Sequence, residues 1–525
     1  MVLNMIRILL LFTVFILPAN AEEILNLSLE EAKIIALENN RDIKIQKESI
    51  EFSEGDVTKE KGAFDPFFIL TTTYSDIQSP TVSTFVESGE ITEKDFSIEN
   101  SISGRLSTGT FYDLYNLSLT RSETNSPIES LSPSLSTSLS FSIGQELLQN
   151  FGKEINETPL FIAKKNVDIS VKQLELTISD VLFELESDYW LLVASIQNLE
   201  LEKKALELAM DLEERNRIEV EVGTLPPVAV TQAKSEVALR NVNLINAENL
   251  LERSEDRLKN ALVLPYHIDI FPTEAPKTIE REIINETQVL ETAFLNRIEL
   301  KEAQDEIEKG RALTKFFSNQ KLPSLSLEAL FQFQGLGGDE NPDRESFGGV
   351  PEPIPARFDG QSQSFKTLLD GDFPGWSVVG VFSYPIFNRT AKGEYTKANA
   401  DLNRRIIRYQ KVKEQIELEI RDALREVRNS QKKIEAAKTA VELAKQVVIN
   451  DEERLRVGIA TTREVLESQR DLIDARTTEI EAVTEYNIAL ARLQKTQGTI
   501  LINNNIMIED KNLKYGIISS QNLNY

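Results

Sequence analysis

The sequence contains two copies of one pattern, and this duplication limits the possible folds more than any other feature. The segment Asn39-Asn40 leading to Pro66 recurs 257 positions later as Asn296-Arg297 leading to Pro323. Val222-Gly223-Thr224 recurs 235 positions later as Val457-Gly458-Ile459. Each copy orders its parts as helix, extended strands, very long helix, glycine break and return helix, so one supersecondary unit is used twice. The unequal offsets predict a shorter strand region in the second copy.

The first 21 residues predict an export signal. Arg7 precedes a short apolar run over residues 8–17, and Ala19-Asn20-Ala21 fits a small-residue cleavage site. The apolar run is short for a membrane span. We expect the mature chain to begin near Glu22, the alternative being an uncleaved anchor helix.

Composition argues against several classes of site. The chain has no Cys and a single His, so disulfides, thiolate metal sites and Cys nucleophiles are excluded. His267 lies beside Pro265 in a predicted loop, where a structural or solvated role is expected. The net charge of −26 makes nucleic acid an unfavourable partner. With no phosphate loop or nucleophile elbow either, we predict no enzyme and no catalytic, cofactor-binding or metal-binding residues.

One segment in particular alternates with the period of a β-strand. Between Ser134 and Ile143 the odd positions are mainly apolar and the even positions are almost all Ser. One face therefore meets lipid or a core, and the other meets water. A soluble sheet with one wet face is the alternative, but the sequence offers no second apolar layer to cover it. Beyond the first residues, no segment has the roughly 20 apolar residues of a transmembrane helix, so a crossing would require a closed β-barrel.

Two very long helices follow the strands. Residues 157–222 predict about 65 helical residues, or ~100 Å. One heptad seam holds Leu192, Leu199 and Leu206, and a second holds Ala194, Leu201 and Leu208. In the other copy, one seam holds Ile434, Val441 and Val448, and the second holds Ala436, Ala440, Leu443 and Val447. A two-stranded coiled coil needs only one seam, whereas a ring of helices needs two.

The predicted organisation follows from these elements. The first repeat covers residues 22–278, with a helix over 28–61, barrel strands at about 66–145 and a long helical hairpin at about 157–263. The second covers 279–502, with a helix over 280–319, strands at about 323–387 and a hairpin at about 388–500. Residues 335–375 predict a long exposed loop, and residues 503–525 a polar, loosely ordered C-terminal tail.

The strands of one chain are too few to close a wide barrel. Backbone edges cannot face lipid, so further copies must complete the ring, and cyclic symmetry closes it. Helices with two seams would continue the ring as a second, helical cylinder. The sequence thus predicts β-structure in an outer membrane and α-structure across the periplasm.

In these features the chain resembles outer-membrane efflux proteins of the TolC type. The resemblance lies in SLEEAKIIALENN at residues 28–40, in Pro66 and Pro323 before strands, and in the two Val-Gly breaks. Gln145-Glu146-Leu147-Leu148 and Tyr384-Pro385-Ile386-Phe387, which close strands, add to it. It covers nearly the whole mature chain.

The resemblance implies an α+β fold: a trimeric membrane β-barrel continued by a long α-helical coiled-coil barrel. It implies an exit duct for efflux or type I secretion in the outer membrane of a Gram-negative bacterium, with the helical part in the periplasm. The implied partners are two further copies in a homotrimer, a periplasmic adaptor protein, an inner-membrane transporter of the RND or ABC type, and outer-membrane lipid.

The resemblance also assigns roles to residues at the two breaks. Hairpin tips contact the adaptor in this family, so the implied contact residues are Val222, Gly223, Thr224, Val457, Gly458 and Ile459. The alternative is that each Gly only permits a tight turn. The positions that match the family's acidic rings are Glu464 and Glu467, which would form a cation-selective periplasmic gate. The alternative is two solvated acids that favour the helix dipole.

Two departures from the family are visible. The Tyr and Arg that hold the family's closed tip correspond to Leu455 and Ala460, and Arg454 or Arg456 could substitute. Family protomers typically give four strands to the barrel, whereas this chain has four strand segments in its first copy and two in its second. The extra hairpin near Gly109 could lie in an extracellular loop or widen the sheet. A non-conducting periplasmic coiled coil with a structural or adhesive role is the competing hypothesis.

Overall fold

The computed structural model describes residues 23–82, 86, 89–277, 285–345, 349, 352–511 and 514–519. The predicted export signal at residues 1–21 lies outside the described residues, as does the predicted junction between the repeats at 278–279.

Helices account for most of the described chain. In order they are α1 Leu29–Asn39, α2 Arg41–Lys61, α3 Lys153–Asn156, α4 Thr158–Glu221, α5 Val228–Leu262, α6 Glu286–Asn296, α7 Ile298–Asn319, α8 Ser362–Asp370, α9 Arg389–Arg456, α10 Thr462–Thr496 and α11 Ile500–Asn503. The longest, α4 and α9, contain 64 and 68 residues, and each is followed by a return helix of 35 residues.

In the described part of the chain, the strands form three sheets. They are β1 Glu23–Leu27, β2 Phe67–Pro80, β3 Glu90–Arg105, β4 Thr110–Thr124, β5 Leu131–Glu146, β6 Ile268–Pro272, β7 Ser324–Glu340, β8 Phe373–Ser383, β9 Ile506–Lys511 and β10 Lys514–Ser519. The main sheet is antiparallel, with the order β2-β3-β4-β5-β7-β8. β1 pairs with β6 in parallel, and β9 pairs with β10. No sequence pattern predicted β1 and β6, because they are short and far apart in the chain.

The chain divides into two compact units that do not coincide with the repeats. The first contains residues up to Ile50, Ser170–Glu302 and those from Tyr409 onward; the second contains Glu51–Ile169 and Ala303–Arg408. Each repeat therefore contributes to both units. The main sheet lies wholly in the second unit.

The core of the first unit lies between the long helices. On α9, Ile416, Ile420, Leu424 and Val427 recur three or four residues apart and are buried. They pack with residues of α10 such as Tyr486 and Leu493, which lie two turns apart on one face. A stripe of this width is the usual core face of a helix.

The duplication is visible in hydrogen bonds that occupy equivalent positions. In the first copy, Asn40 Nδ2 donates to the carbonyl oxygen of Ala261 at 3.4 Å. In the second copy, Arg297 Nη1 donates to the carbonyl oxygen of Thr496 at 3.1 Å. The donors are 257 positions apart and the acceptors 235, the two offsets found in the sequence. In both copies, a side chain between two short helices is tied to the end of the return helix.

The same two positions correct the prediction of single helices over 28–61 and 280–319. Asn40 and Arg297 have extended ψ values of 133° and 121°, so each predicted helix is two helices. At the first break, Asn40 Oδ1 accepts from the N–H groups of Asp42 and Ile43, as a helix N-cap does. The apolar period runs through these breaks, which is why the sequence pattern conceals them.

The segment 335–375 is more ordered than predicted. β7 continues to Glu340, and α8 packs against the sheet with Ser364, Thr367 and Leu368 buried. A Cβ on Gly335 would lie 2.0 Å from the carbonyl oxygen of Ser364. The glycines that suggested a loop instead allow the helix to approach the strand closely.

The C-terminal segment also differs from the expected loosely ordered tail. Residues 506–511 and 514–519 pair as the antiparallel strands β9 and β10, with Ile508 opposite Ile517. The predicted strand region of the second copy extends to about residue 387, whereas β8, the last strand before α9, ends at Ser383. Pro385 follows shortly after and has no N–H to give to a strand ladder.

Candidate functional site

The first long hairpin turns at Gly223, between α4 and α5. Gly223 has a φ of +81°, and its N–H donates to the carbonyl oxygen of Val220 at 3.1 Å. The N–H and the hydroxyl of Thr224 both donate to the carbonyl oxygen of Glu219, each at 2.8 Å. This pair of backbone bonds is the Schellman helix end, which satisfies carbonyls that the helix leaves open.

The second hairpin turns in the same way at Gly458. Gly458 has a φ of +76°, and its N–H donates to the carbonyl oxygen of Leu455 at 2.9 Å. The N–H of Ile459 donates to the carbonyl oxygen of Arg454 at 2.8 Å. The two breaks found in the sequence are therefore geometrically equivalent turns.

Both turns present apolar side chains to the surroundings. Val222 is 68% exposed, Val457 is 61% exposed and Ile459 is 71% exposed. A Cβ placed on Gly223 or Gly458 would meet nothing within 4 Å. Each Gly is therefore required by its backbone angle and not by lack of space.

Buried residues beneath the turns hold the two hairpins side by side. Leu212 of α4 packs with Val465 and Leu466 of α10. Asn216, only 2% exposed, has its Nδ2 at 3.4 Å from both the carbonyl oxygen of Ala229 and the hydroxyl of Thr462. Asn216 was not among the predicted site residues, because one Asn inside a long helix has no distinguishing pattern.

Glu464 is engaged at the start of α10. Its Oε2 accepts from the N–H of Thr461 at 2.6 Å, and the Thr461 hydroxyl accepts from the N–H of Glu464 at 3.3 Å, forming a capping box. The Thr461 N–H, followed by the Thr461 hydroxyl, lowers the pKa of Glu464. Within one chain Glu464 thus acts as a helix cap.

The other charged residues near the second turn are exposed. Glu467 lies one turn after Glu464 on the surface of α10. Arg454 and Arg456 pair with Asp451 and Glu453 of their own helix, at 3.0 and 2.8 Å. Within one chain, these two arginines therefore bind acids of α9 and do not hold the return helix.

A buried ionic cluster joins three helices farther along the hairpins. Arg240 Nε and Arg470 Nη2 donate to the two oxygens of Glu236, at 2.9 and 2.8 Å. Glu202 Oε2 lies 3.9 Å from Arg240 Nη1 and has no hydrogen-bond partner among the described residues. Burial raises the pKa of Glu202, an effect that Arg240 opposes. The cluster braces α4, α5 and α10.

The main sheet has one apolar and one polar face along most of its width. Residues opposite each other on paired strands point to the same face of the sheet, so the strand register shows to which face each side chain belongs. The apolar face carries Phe68, Leu70, Tyr74, Phe96, Ile98, Ile102, Tyr115, Leu117, Leu119, Leu135, Leu139, Phe141, Ile143, Leu327, Phe331, Phe333, Trp376, Val378 and Phe382. The opposite face is mainly Ser, Thr, Asn, Gln and Glu, although the edge strands β2 and β8 carry apolar residues on both faces.

Side chains on the polar face bond across strands. Asn116 Nδ2 donates to Glu99 Oε1 at 2.8 Å, and the Ser142 hydroxyl donates to Asp113 Oδ2 at 2.8 Å. No group of His, Cys, Asp and Glu among the described residues could hold a metal ion. In the same residues, no helix combines the length and the hydrophobicity needed to span a membrane.

Part of the chain matches one family model, and its structure matches solved structures that share one fold. Residues 289–499 match the family model described as outer membrane efflux protein. No curated protein matches the chain. Its structure is similar to the Campylobacter jejuni CmeC outer membrane channel, with 16% identity, a TM-score of 0.63, and coverage of 90% of this chain and 86% of that one.

Two further channel structures give the same result. The outer membrane protein VceC of Vibrio cholerae is 14% identical, with a TM-score of 0.63 and coverage of 90% of this chain and 96% of that one. The open state of the Neisseria gonorrhoeae MtrE outer membrane channel is 14% identical, with a TM-score of 0.61 and coverage of 90% and 89%. Because the three identities are only 14–16%, the structural similarity establishes the fold alone.

Proposed function

We propose that this chain is the outer-membrane exit duct of a tripartite efflux or type I secretion system. The premise is the resemblance to TolC-type outer-membrane efflux proteins, which the family-model match and the structural matches confirm. The chain would work as a homotrimer in the outer membrane of a Gram-negative bacterium. Its helices would extend through the periplasm to an adaptor protein and an inner-membrane transporter. Conduction would be passive, with cargo chosen by the transporter.

The two-faced main sheet is the observation that carries this proposal. The edge strands β2 and β8 each leave a row of unpaired backbone groups, and their side chains are mostly exposed. Open edges of this length cannot stay in lipid, whereas pairing with further copies would satisfy them. The polar face would then line water, and the apolar face would meet lipid except where α8 covers it at Thr137 and Gly335.

The second seam of α9 supports assembly of the helical part as well. Ile434, Val441 and Val448 form the seam that is covered within the chain. On the other seam, Leu443 is 57% exposed and Val447 is 49% exposed. A neighbouring copy would bury these residues, at roughly 1.5–3 kcal/mol for each Leu or Val side chain that is fully covered.

The two turns are the proposed adaptor contacts. Val222, Gly223 and Thr224 at one tip, and Val457, Gly458 and Ile459 at the other, combine exposed apolar side chains with fixed turn geometry. Small exposed apolar groups on a rigid turn suit a partner with a shallow apolar groove. Replacing Val457 and Ile459 with Ser should leave the helices intact and weaken cross-linking to the adaptor. Unchanged cross-linking would remove these residues from the contact.

Glu464 and Glu467 are the proposed acidic gate. Three copies would bring six carboxylates around one axis, where they would attract cations and oppose each other's ionisation. The capping role of Glu464 is compatible with this, because one carboxylate has room for several acceptor bonds. Replacing both with Ala should weaken cation preference in planar bilayers. Replacing Glu479 and Glu481 of the same helix is the control with equal charge change, and equal effects of the two double variants would contradict the gate.

The experiment that tests the function itself is conductance of the purified full chain in a planar bilayer. The exit duct predicts extraction only with detergent, trimers that dissociate on heating, and discrete conductance steps. A non-conducting periplasmic coiled coil predicts a protein that is released without detergent and never opens a current. The latter result would refute the proposal.

A further inference from the structure

We propose that the extra β3–β4 hairpin is part of the pore wall, so that three copies close an eighteen-stranded barrel instead of one built from four strands per chain. This inference rests on the proposed function. It concerns the hairpin for which the sequence allowed two placements, an extracellular loop or a wider sheet.

The hairpin is paired with the sheet along its full length on both sides. β3 pairs with β2 from Ser103 opposite Phe67 to Glu90 opposite Pro80. β4 pairs with β5 from Thr110 opposite Gln145 to Ser122 opposite Ser134, with one bulge. β3 and β4 contain 16 and 15 residues, against 16 and 17 for β5 and β7. A loop excursion would pair only at its base, whereas this hairpin matches the neighbouring strands in length.

The hairpin also has the same two faces as the rest of the sheet. Ile98 lies opposite Leu119 on the apolar face, and Ser97 lies opposite Thr120 on the polar face. Phe96, Ile102 and Leu117 extend the apolar face, and Ser101 and Ser118 extend the polar one. A hairpin surrounded by water has no need for a continuous apolar face, and exposing such a face to water is unfavourable relative to lipid.

The polar face of the hairpin suits the inside of an aqueous pore. Glu93, Asp95 and Glu99 all lie on this face of β3. Asn116 of β4 donates to Glu99 across the two strands. Carboxylates without a counter-charge are strongly disfavoured in lipid, which assigns this acidic face to water. The acids on the apolar face, Asp76 and Glu123, each form an ion pair, with Lys94 and Arg121. The hairpin therefore adds acidic groups as well as width to the lumen.

The wider sheet changes the dimensions of the pore. Each chain presents six strands with β2 and β8 as the edges, so three copies joined edge to edge contain eighteen. Barrel diameter grows roughly linearly with strand number, so eighteen strands give a pore about 1.5 times as wide as twelve. Eighteen is an even number of strands in the range that leaves an aqueous channel.

Single-cysteine labelling tests the placement of the hairpin, because the native chain has no Cys. Ile98→Cys, Leu119→Cys, Ser97→Cys and Thr120→Cys are each labelled with an environment-sensitive fluorophore in full-length protein reconstituted into phosphatidylcholine vesicles. The wall predicts that a lipid-phase nitroxide quenches most fluorescence at 98 and 119, and that aqueous iodide quenches most at 97 and 120. Iodide quenching at all four positions would overturn the proposal.

Phe331→Cys and Gln332→Cys on β7 are the matched controls, because they lie on opposite faces of a strand outside the hairpin. If the controls alternate between lipid and water and the hairpin positions do not, only the eighteen-stranded wall fails. If the controls also fail to alternate, the membrane function fails. Native mass of the detergent-solubilised assembly gives the number of copies, and any number other than three would refute the count of eighteen.

Discussion

Gly458→Ala is the substitution whose cost the structure defines most clearly. The new Cβ would meet nothing within 4 Å, so no clash contributes. The cost comes only from the φ of +76°, which is unfavourable for an L-residue by roughly 1–2 kcal/mol. The turn that depends on this angle places the N–H of Ile459 against the carbonyl oxygen of Arg454.

Hydrogen exchange at the Ile459 amide measures that cost directly. Since 1.4 kcal/mol corresponds to a factor of ten, 1–2 kcal/mol should speed exchange about 5- to 30-fold. Gly393→Ala is the matched control, because it also meets nothing within 4 Å but lies inside α9, where Ala should stabilise the helix by about 1 kcal/mol. Unchanged exchange at Ile459 in the Gly458 variant would refute the argument from backbone angle.

Gly458→Asn then separates the turn from partner contact. Asn tolerates the left-handed region, so the turn should largely survive. If both exchange protection and efflux survive, the glycine serves only the turn. If protection survives and efflux is lost, a partner needs the bare backbone at this position.

Three further predictions concern other positions. Gly335→Ala should detach α8 from the sheet at a cost of about 2–4 kcal/mol, from lost burial of Leu368 and one or two hydrogen bonds, and limited trypsin digestion should then cleave after Lys366 faster. Val263→Gly should raise the free energy of unfolding by about 1 kcal/mol in denaturant titration, because a β-branched residue there has a φ of +57°. Thr461→Ala should raise the pKa of Glu464 toward its ordinary value in an NMR titration. Because the pKa of Glu464 is lowered in the folded chain, the stability that the cap contributes is present above the ordinary carboxyl pKa and is lost as pH falls. The Thr461→Ala variant should therefore lose less stability over the same fall in pH.

Position 263 also illustrates how the two copies inform each other. Val263 and Gly498 are 235 positions apart and end the two return helices, with φ values of +57° and +69°. The second copy has the residue that the backbone angle favours, whereas the first has one that resists it. An unchanged or lower stability of the Val263→Gly variant would indicate that contacts of the Val side chain outweigh the strain.

Much of the local structure could be predicted because local chemistry decides it. Gly223 and Gly458 interrupt long helical periods, and in the structure each is a Schellman turn. The alternation of Ser with apolar residues before Ile143 specifies a two-faced strand, and β5 contains it. These signals lie within a few residues of one another, so no distant partner is needed to interpret them.

Other features depend on contacts between residues far apart in the chain, and the predictions from sequence omitted them or were wrong about them. The breaks at Asn40 and Arg297 lie inside continuous apolar periods, and the structure relates each side chain to a carbonyl about 200 residues away. The glycines near position 335 suggested a loop in the sequence, whereas in the structure they lie against α8. The role of Asn216 depends on three helices, α4, α5 and α10, that meet around its side chain.

The sequence by itself determined that the chain is duplicated, where its long helices turn, and that its strands separate polar from apolar residues. These depend on periodicity and on the backbone angles that single residues permit. Only the tertiary structure decided that β3 and β4 extend the main sheet between β2 and β5. Strand pairing depends on which edges meet, and a two-faced strand has the same sequence pattern whether it lies in a wall or beside it.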